Sequence, residues 1–192
     1  QGIIAMPGAG TQVPIWLLGS SLYSAQLAAH MGLPYAFASH FAPRLLLQAI
    51  DLYRDLFKPS AEWPKPYVVI GVPLIAAPTD DEAQFLASST FQRVLGILKG
   101  ERRKLAAPVH GLAEQLLPQE RAAIDDFLAA AVIGGHETVR QGFAALLQAT
   151  QADELMLEVY WRAPNYSKPW VVGRRDTLLR PTDINYHRDH LG

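Results

Sequence analysis

The chain has 192 residues, of which 49% are hydrophobic, and its 17 Lys and Arg against 18 Asp and Glu give a formal net charge of −1. This balance argues against a nucleic-acid partner, and no apolar run reaches the roughly 18–20 residues that a membrane span needs. Because the chain has no cysteine, disulfides, thiolate catalysis and zinc–thiolate sites are excluded, and a cytoplasmic location is expected.

The first part of the chain predicts strands that alternate with helices. Residues 14–18 form a short apolar run between Pro and Gly, which is typical of a buried strand. Residues 22–31 have helical apolar spacing, and Gly32 is a suitable C-terminal stop. A second strand is predicted at 34–39, and a second helix begins near Pro43. This alternation predicts an α/β fold of parallel strands joined by crossover helices.

The alternation continues through the rest of the chain. Residues 67–77 are apolar on both faces, as in a strand buried on both sides. Thr79 and Glu82 have the spacing of a capping box and begin a helix that runs toward residue 98. The later predicted elements are a polar connection at 99–117, a helix at 118–131, a turn at Gly134–Gly135, a helix at 136–150, a fourth strand at 153–160 and an irregular tail at 161–192. We therefore expect one domain at 1–160 and a separate tail.

The first strand ends in a candidate anion site. Gly19, Ser20 and Ser21 follow it directly, and Ser24 lies three residues further on. In parallel α/β proteins ligands bind at the carboxyl ends of strands, where a helix start favours an anion through its free N–H groups and its dipole. Such a site suits a phosphate monoester. A serine that only caps the helix also explains the pattern, and the pattern alone favours the cap.

Other polar residues give weaker signals. His40 follows the second strand, where an imidazole can contact a ring or transfer a proton, although a plain loop histidine is the more common case. The acidic residues 80–82 suit a helix start and are predicted to be structural. Asp153 and Glu154 are adjacent on a strand and point to opposite faces. No spacing in the chain, including that of the histidines 187 and 190, is diagnostic of a metal site.

The stretch VPIWLLGSSLYSAQLAAHMGLPYAFASHFAP resembles the bacterial luciferase-like, flavin-dependent monooxygenase family. The likeness continues through residues 49–54 and 57–60 and through KPYVVIGVPLIAAPTDDEA, GGHETV and ADELM, and it covers roughly residues 5–158. The resemblance implies a (β/α)8 barrel that binds FMN, or in some branches a deazaflavin, at the carboxyl ends of its strands. It also implies that reduced flavin reacts with O₂ to oxidise a small organic substrate.

The resemblance assigns cofactor-binding residues but no catalytic residue. The segment that matches Gly19 to Ser24 follows the family's fifth strand and holds the flavin phosphate, with Ser21 and Ser24 at the hydroxyl-bearing positions. The strand before His40 would lie beside the isoalloxazine ring. The resemblance thus implies a cofactor-binding set of Leu18, Gly19, Ser20, Ser21, Ser24 and His40.

Only strands that resemble the fifth to eighth of the family barrel are present, and residues 161–192 depart from the family pattern. The absent half carries the substrate pocket and most catalytic positions of the family. Half of a barrel leaves two sheet edges exposed, and exposed edges tend to pair. We therefore expect the chain to form a homo-oligomer, to associate with an N-terminal half-barrel, or to belong to a longer protein.

Two other interpretations remain open from the sequence. One is a shortened family member that binds flavin, or nothing, without turnover. The other is an unrelated α/β domain, such as a flavodoxin-like one, that holds a different phosphate ligand at the same helix start. A sheet that runs in chain order would support the half-barrel, whereas a reversal of strand order would support a doubly wound sheet.

Overall fold

The computed structural model describes residues 8–101 and 104–159. Within these ranges a 3₁₀ turn lies at Pro43–Leu45, and no helix is both long enough and apolar enough to cross a membrane. The strands are β1 (Leu17–Gly19), β2 (Tyr35–Ala38), β3 (Val68–Ala76), β4 (Val132–Gly134) and β5 (Glu154–Val159). The helices are α1 (Leu22–Met31), α2 (Leu46–Leu56), α3 (Asp80–Leu98), α4 (Leu112–Gln115), α5 (Pro118–Phe127) and α6 (His136–Thr150). The predicted tail and the domain boundary near residue 160 lie outside the described residues.

The strands form one parallel sheet. β1 pairs with β2, and β2 pairs with residues 68–71 of β3. β5 pairs with residues 69–74 of β3. Because β2 and β5 pair with the same stretch of β3, they lie on its opposite edges, and these four strands follow one another in chain order. This order confirms the predicted parallel strands with crossover helices, and it supports part of a barrel over a doubly wound sheet.

β4 contradicts one sequence prediction. The pattern predicts a helix that reaches residue 131 and a turn at Gly134–Gly135, but α5 ends at Phe127 and Val132–Gly134 is a strand. β4 pairs with Leu74–Ala76 of β3, beyond the residues of β3 that pair with β2. Three residues are too few to show a periodicity of two, so only this tertiary pairing defines the strand. The strand predicted fourth is therefore the fifth, and the polar connection contains the short helix α4.

The ends of α1 are defined by local chemistry, as predicted. The helix spans Leu22–Met31, and Gly32 follows in the left-handed conformation with φ 61°. Its N–H bonds to the carbonyl groups of Ala28 and Ala29. A Cβ at Gly32 would also lie 2.5 Å from the carbonyl oxygen of Lys58, so only glycine fits this turn.

Helices cover one face of the sheet. Alternate residues of the strands, such as Ile70 and Leu155, pack against α1, α2 and α6 in the main hydrophobic cluster. Tyr53 is fully buried in this cluster, and its hydroxyl donates to the Leu33 carbonyl at 2.9 Å. A smaller cluster packs α3 and α5 against Ile75 near the end of β3.

The other face of the sheet is uncovered near β1 and β5 in the described part of the chain. Leu18 and Met156 are 72% and 56% exposed. Their strand neighbours Leu17 and Leu155 belong to the main cluster on the helix side, so Leu18 and Met156 point away from it. Large apolar side chains exposed on one sheet face indicate a contact surface. We call this the uncovered face.

Asp80, at the start of α3, also holds the start of α6. Its carboxylate accepts hydrogen bonds from the Gly135 N–H at 2.6 Å and from the Thr138 hydroxyl at 3.0 Å. The Gly135 bond, followed by the Thr138 bond, lowers the pKa of Asp80. Because the folded pKa is the lower one, the stability that this carboxylate contributes is present above the ordinary Asp pKa of ~3.9. It is lost as the pH falls through the lowered value.

We expect Asp80→Ala to lower the melting temperature at pH 7, and the difference from wild type to shrink as the pH falls through the lowered pKa of Asp80. Asp81→Ala is the matched control, because Asp81 lies in the same helical turn and its side chain makes no hydrogen bond or ion pair within the described residues. Thermal melts followed by circular dichroism between pH 7 and pH 3 measure both differences. Equal effects of the two variants, or a difference independent of pH, would contradict this role.

Candidate functional site

The segment after β1 forms a capped helix start. The Ser21 hydroxyl oxygen accepts the Ser24 N–H at 3.2 Å, and the Ser24 hydroxyl oxygen accepts the Ser21 N–H at 3.2 Å. The first backbone bond of α1 runs from the Ala25 N–H to the Ser21 carbonyl. The N–H groups of Leu22 and Tyr23 precede that bond, so they have no partner within the helix. The reciprocal cap therefore leaves two backbone donors available at the helix start.

The Ser24 hydroxyl is directed toward the protein interior. It donates to the Ser21 carbonyl at 2.7 Å and lies 2.9 Å from the hydroxyl of Tyr35, which itself donates to the Ser21 carbonyl at 3.2 Å. Burial raises the pKa of Tyr35, and the hydrogen bond with Ser24 partly opposes this rise. Tyr35 thus joins the start of α1 to β2. The sequence gives no signal for this role, because Tyr35 lies in an apolar strand and has the pattern of a core residue.

The predicted phosphate ligands therefore differ in how available they are. Ser21 is exposed, whereas Ser24 is half-buried and engaged in the cap. The Ser20 hydroxyl makes no hydrogen bond within the described residues. The groups free to meet an anion are the N–H groups of Leu22 and Tyr23 and the hydroxyl of Ser20. The exposed Ser21 hydroxyl beside them donates to Ser24 Oγ at 3.2 Å, a contact within the cap. Together with the positive end of the helix dipole, this donor set fits a phosphate.

Gly19 is required by the packing of Ser24. A Cβ at Gly19 would lie 2.3 Å from both the Cβ and the Oγ of Ser24. We expect Gly19→Ala to displace the capping serine and to lower the free energy of unfolding by about 1–3 kcal/mol, the usual cost of overpacking.

Urea unfolding measures this loss against Gly96→Ala as the control. Gly96 lies inside α3, and a Cβ there would meet nothing closer than 3.8 Å. The control should be neutral or stabilising by up to about 1 kcal/mol, because Ala is the better helix former. A Gly19→Ala protein as stable as wild type would show that the close contact does not constrain α1.

His40 lies at the same edge of the sheet as the helix start. Gly19 of β1 is paired with Phe37 of β2, so the segments that follow these two strands emerge side by side. The imidazole of His40 contacts the ring of Phe41, with 4.1 Å between ring centroids. Leu18 precedes Gly19 on the uncovered face. The structure thus places Leu18, Gly19, Ser20, Ser21, Ser24 and His40 along the carboxyl ends of two neighbouring strands.

Two residues that the sequence does not predict for the site lie beside His40. Oε2 of Glu158 is 3.3 Å from Nδ1 of His40. Gly71 of β3 lies next to the ring, and a Cβ there would be 3.6 Å from the same Nδ1. A sequence signal for Glu158 exists, because it is a carboxylate within an otherwise apolar stretch of β5.

The remaining acidic candidates have structural contacts at the other end of the sheet. Asp153 accepts the Val68 N–H at 2.7 Å, and Glu154 accepts the hydroxyl of Tyr67. Among residues 8–101 and 104–159, no three His, Cys, Asp or Glu side chains gather into a group that could hold a metal ion. The two histidines at 187 and 190 lie outside these ranges.

The fold and this edge define a class of protein. A parallel sheet in chain order, with helices on one face and a free helix start at its carboxyl edge, is part of a (β/α)-barrel fold. The sequence matches the luciferase-like monooxygenase family over residues 1–154, and the chain belongs to this family. Membership confirms the resemblance described above and removes the interpretation as an unrelated α/β domain.

Individual relatives agree with this assignment. The chain is 45% identical over 152 residues to a luciferase-like monooxygenase of Escherichia coli K12, covering 79% of this chain and 45% of that protein. It is 44% identical over 153 residues to the uncharacterized protein YvbT of Bacillus subtilis, covering 80% and 46%. The crystal structure of apo-MsnO8 superposes with a TM-score of 0.63 at 29% identity, covering 81% and 47%. The chain thus spans less than half the length of these relatives.

Proposed function

We propose that the carboxyl edge of this sheet binds FMN, with the phosphate at the start of α1, as part of a flavin-dependent monooxygenase. The observation that carries the proposal is the pair of free N–H groups, of Leu22 and Tyr23, beside the exposed hydroxyl of Ser21. A helix start with free donors favours an anion, and membership of the luciferase-like family favours a flavin as the molecule that bears it.

The side chains at this edge receive roles in this proposal. The Ser20 hydroxyl donates to a phosphate oxygen, and the exposed Ser21 hydroxyl turns from Ser24 Oγ to do the same. The Ser24 hydroxyl oxygen keeps Ser21 in place by accepting its N–H. Leu18 offers exposed apolar surface to the ring, and His40 lies beside the ring in the turn that follows β2. When bound, the flavin supplies the electrons and the reaction with O₂ that oxidise a small organic substrate. The chain supplies position and shelter from water.

A titration of the purified chain with FMN tests the proposal. We expect a saturable change in flavin fluorescence with one site per chain. Failure of a folded chain to bind FMN would contradict the proposal. Binding that leaves the reaction of reduced FMN with O₂ unchanged would instead support the alternative, a flavin-binding module without turnover.

The active form of the protein includes a second half-barrel in this proposal. A closed barrel would bury the uncovered face and the outer edge of β1, which pairs with no strand in the part of the chain that the structure describes. In a solution of this chain alone, we propose that a second copy covers them. In the family barrel, the substrate pocket would then come from the half that precedes these strands.

A further inference from the structure

We propose that Glu158 is the positioning residue for His40: the pair fixes the imidazole at the carboxyl edge with Nδ1–H toward Glu158 and Nε2 left for the bound flavin. The inference rests on the proposed function, because the ligand of Nε2 is the flavin of that site. Glu158 does not itself touch the ligand in this arrangement.

The contact between His40 and Glu158 supports this role. Nδ1 of His40 and Oε2 of Glu158 are both buried, lie 3.3 Å apart, and have no hydrogen-bonding partner within the described residues. The 3.3 Å contact is not aligned as a hydrogen bond. Two buried polar atoms that face each other without other partners are most stable when they satisfy one another, and a small rotation of either side chain aligns them.

The backbone around His40 holds the ring in place. His40 follows β2 and Glu158 lies on β5, on the opposite edge of β3. The ring of His40 lies over Gly71 of β3, where the absence of a side chain leaves room for it. The buried hydroxyl of Ser39 donates to the Gly71 carbonyl and fixes the turn that carries His40. The position of the ring is therefore set by three neighbouring strands.

The ionisable side chains around His40 also favour Glu158 as its partner. β3 carries no ionisable side chain. Arg44 follows in the next helical turn, and it forms an ion pair with Asp126. On β5, Glu154 contacts Tyr67 at the far end of the strand. Among the described residues, Glu158 is thus the charged group that faces His40.

The chemical consequence concerns the tautomer of His40. A carboxylate that accepts from Nδ1 selects the neutral form with the proton on Nδ1, which leaves a lone pair on Nε2. Nε2 makes no hydrogen bond within the described residues, so it is the ring atom available to accept a hydrogen bond from a bound molecule, or to donate one once the ring is protonated.

Nitrogen NMR of the full chain labelled with ¹⁵N-histidine tests the pair without activity. At pH 8.5, above the usual titration range of histidine, we expect His40 to be mainly the Nδ1–H tautomer in wild type. In Glu158→Ala it should move toward the Nε2–H tautomer. The resonance that disappears in the His40→Gln variant is assigned to His40.

Two controls accompany this measurement. Glu154→Ala removes a carboxylate from the same face of β5 and should leave the His40 tautomer unchanged. His30, whose Nδ1 lies 2.8 Å from the carbonyl oxygen of Gln26, should report Nδ1–H in every variant. The same His40 tautomer in wild type and Glu158→Ala would overturn the inference.

Addition of FMN separates the inference from the proposed function. If FMN binds and the Nε2 resonance of His40 shifts in wild type, the inference is supported. If FMN binds by fluorescence but the Nε2 resonance does not move, the inference is wrong while the proposed function stands. If FMN does not bind, the proposed function and the role of Nε2 are both wrong. The tautomer comparison then still decides whether Glu158 pairs with His40.

Discussion

A Ser21→Asp protein should fold like wild type and lose its affinity for FMN. Aspartate caps a helix as well as serine does, so the free energy of unfolding should stay within about 0.5 kcal/mol of wild type. Its negative charge would stand ~4 Å from a bound phosphate, where like charges near a protein surface repel by about 4 kcal/mol. We therefore expect the dissociation constant for FMN to rise at least about 100-fold.

Ser21→Asn is the matched control for this experiment. Asparagine is an equally good cap and carries no charge, so this variant should keep most of the affinity. Fluorescence titration gives the dissociation constants, and urea unfolding gives the stabilities. These two variants test anion binding while the helix cap is kept. The double variant Ser21→Ala and Ser24→Ala would remove the cap and the anion-binding hydroxyls together. Equal FMN affinity of Ser21→Asp and Ser21→Asn would place the phosphate elsewhere.

The chain should self-associate through its uncovered face, and Met156→Lys should disrupt that association. Met156 is 56% exposed on a sheet face that no helix covers near β5, and β1 has no partner on its outer edge within the described residues. Burying such surface favours association, whereas a buried unpaired lysine opposes it strongly. Light scattering after size-exclusion chromatography should show at least a dimer for wild type and a shift toward the monomer for the variant.

Met31→Lys is a closely matched control for this shift. Met31 is also 56% exposed, but it ends α1 on the helix side of the sheet. Its substitution should leave the oligomer intact. A wild-type chain that is monomeric at all concentrations would contradict the association. Equal disruption by both lysine variants would show that the interface does not involve the uncovered face.

Local signals accounted for most of the fold in advance. The apolar spacing of α1, the left-handed Gly32 and the Thr79 cap are encoded within a few residues of each element, so the sequence predicts them closely. β4 is the counterexample, since Val132–Gly134 becomes a strand only because β3 extends far enough to pair with it. The pairing of β5 with β3, which makes the sheet run in chain order, is likewise a long-range contact.

In the candidate site too, the sequence predicts what is local and does not predict the long-range contacts. Gly19, Ser21 and Ser24 are close in sequence, so their pattern is readable. The contact of Ser24 with Tyr35 and the meeting of His40 with Glu158 join residues 11 and 118 positions apart along the chain, and no spacing rule reaches that far. The sequence therefore predicted the helix start but not which serine hydroxyl faces inward.

The central claim is that the start of α1 recognises the phosphate of a flavin. A comparison of FMN with riboflavin, which has the same ring system and lacks the phosphate, tests it most directly on the unmodified chain. We predict that FMN binds at least about tenfold more tightly, the ratio expected for a loss of about 1.4 kcal/mol of phosphate contacts, and that added salt narrows the difference. Equal affinities for FMN and riboflavin would contradict the claim.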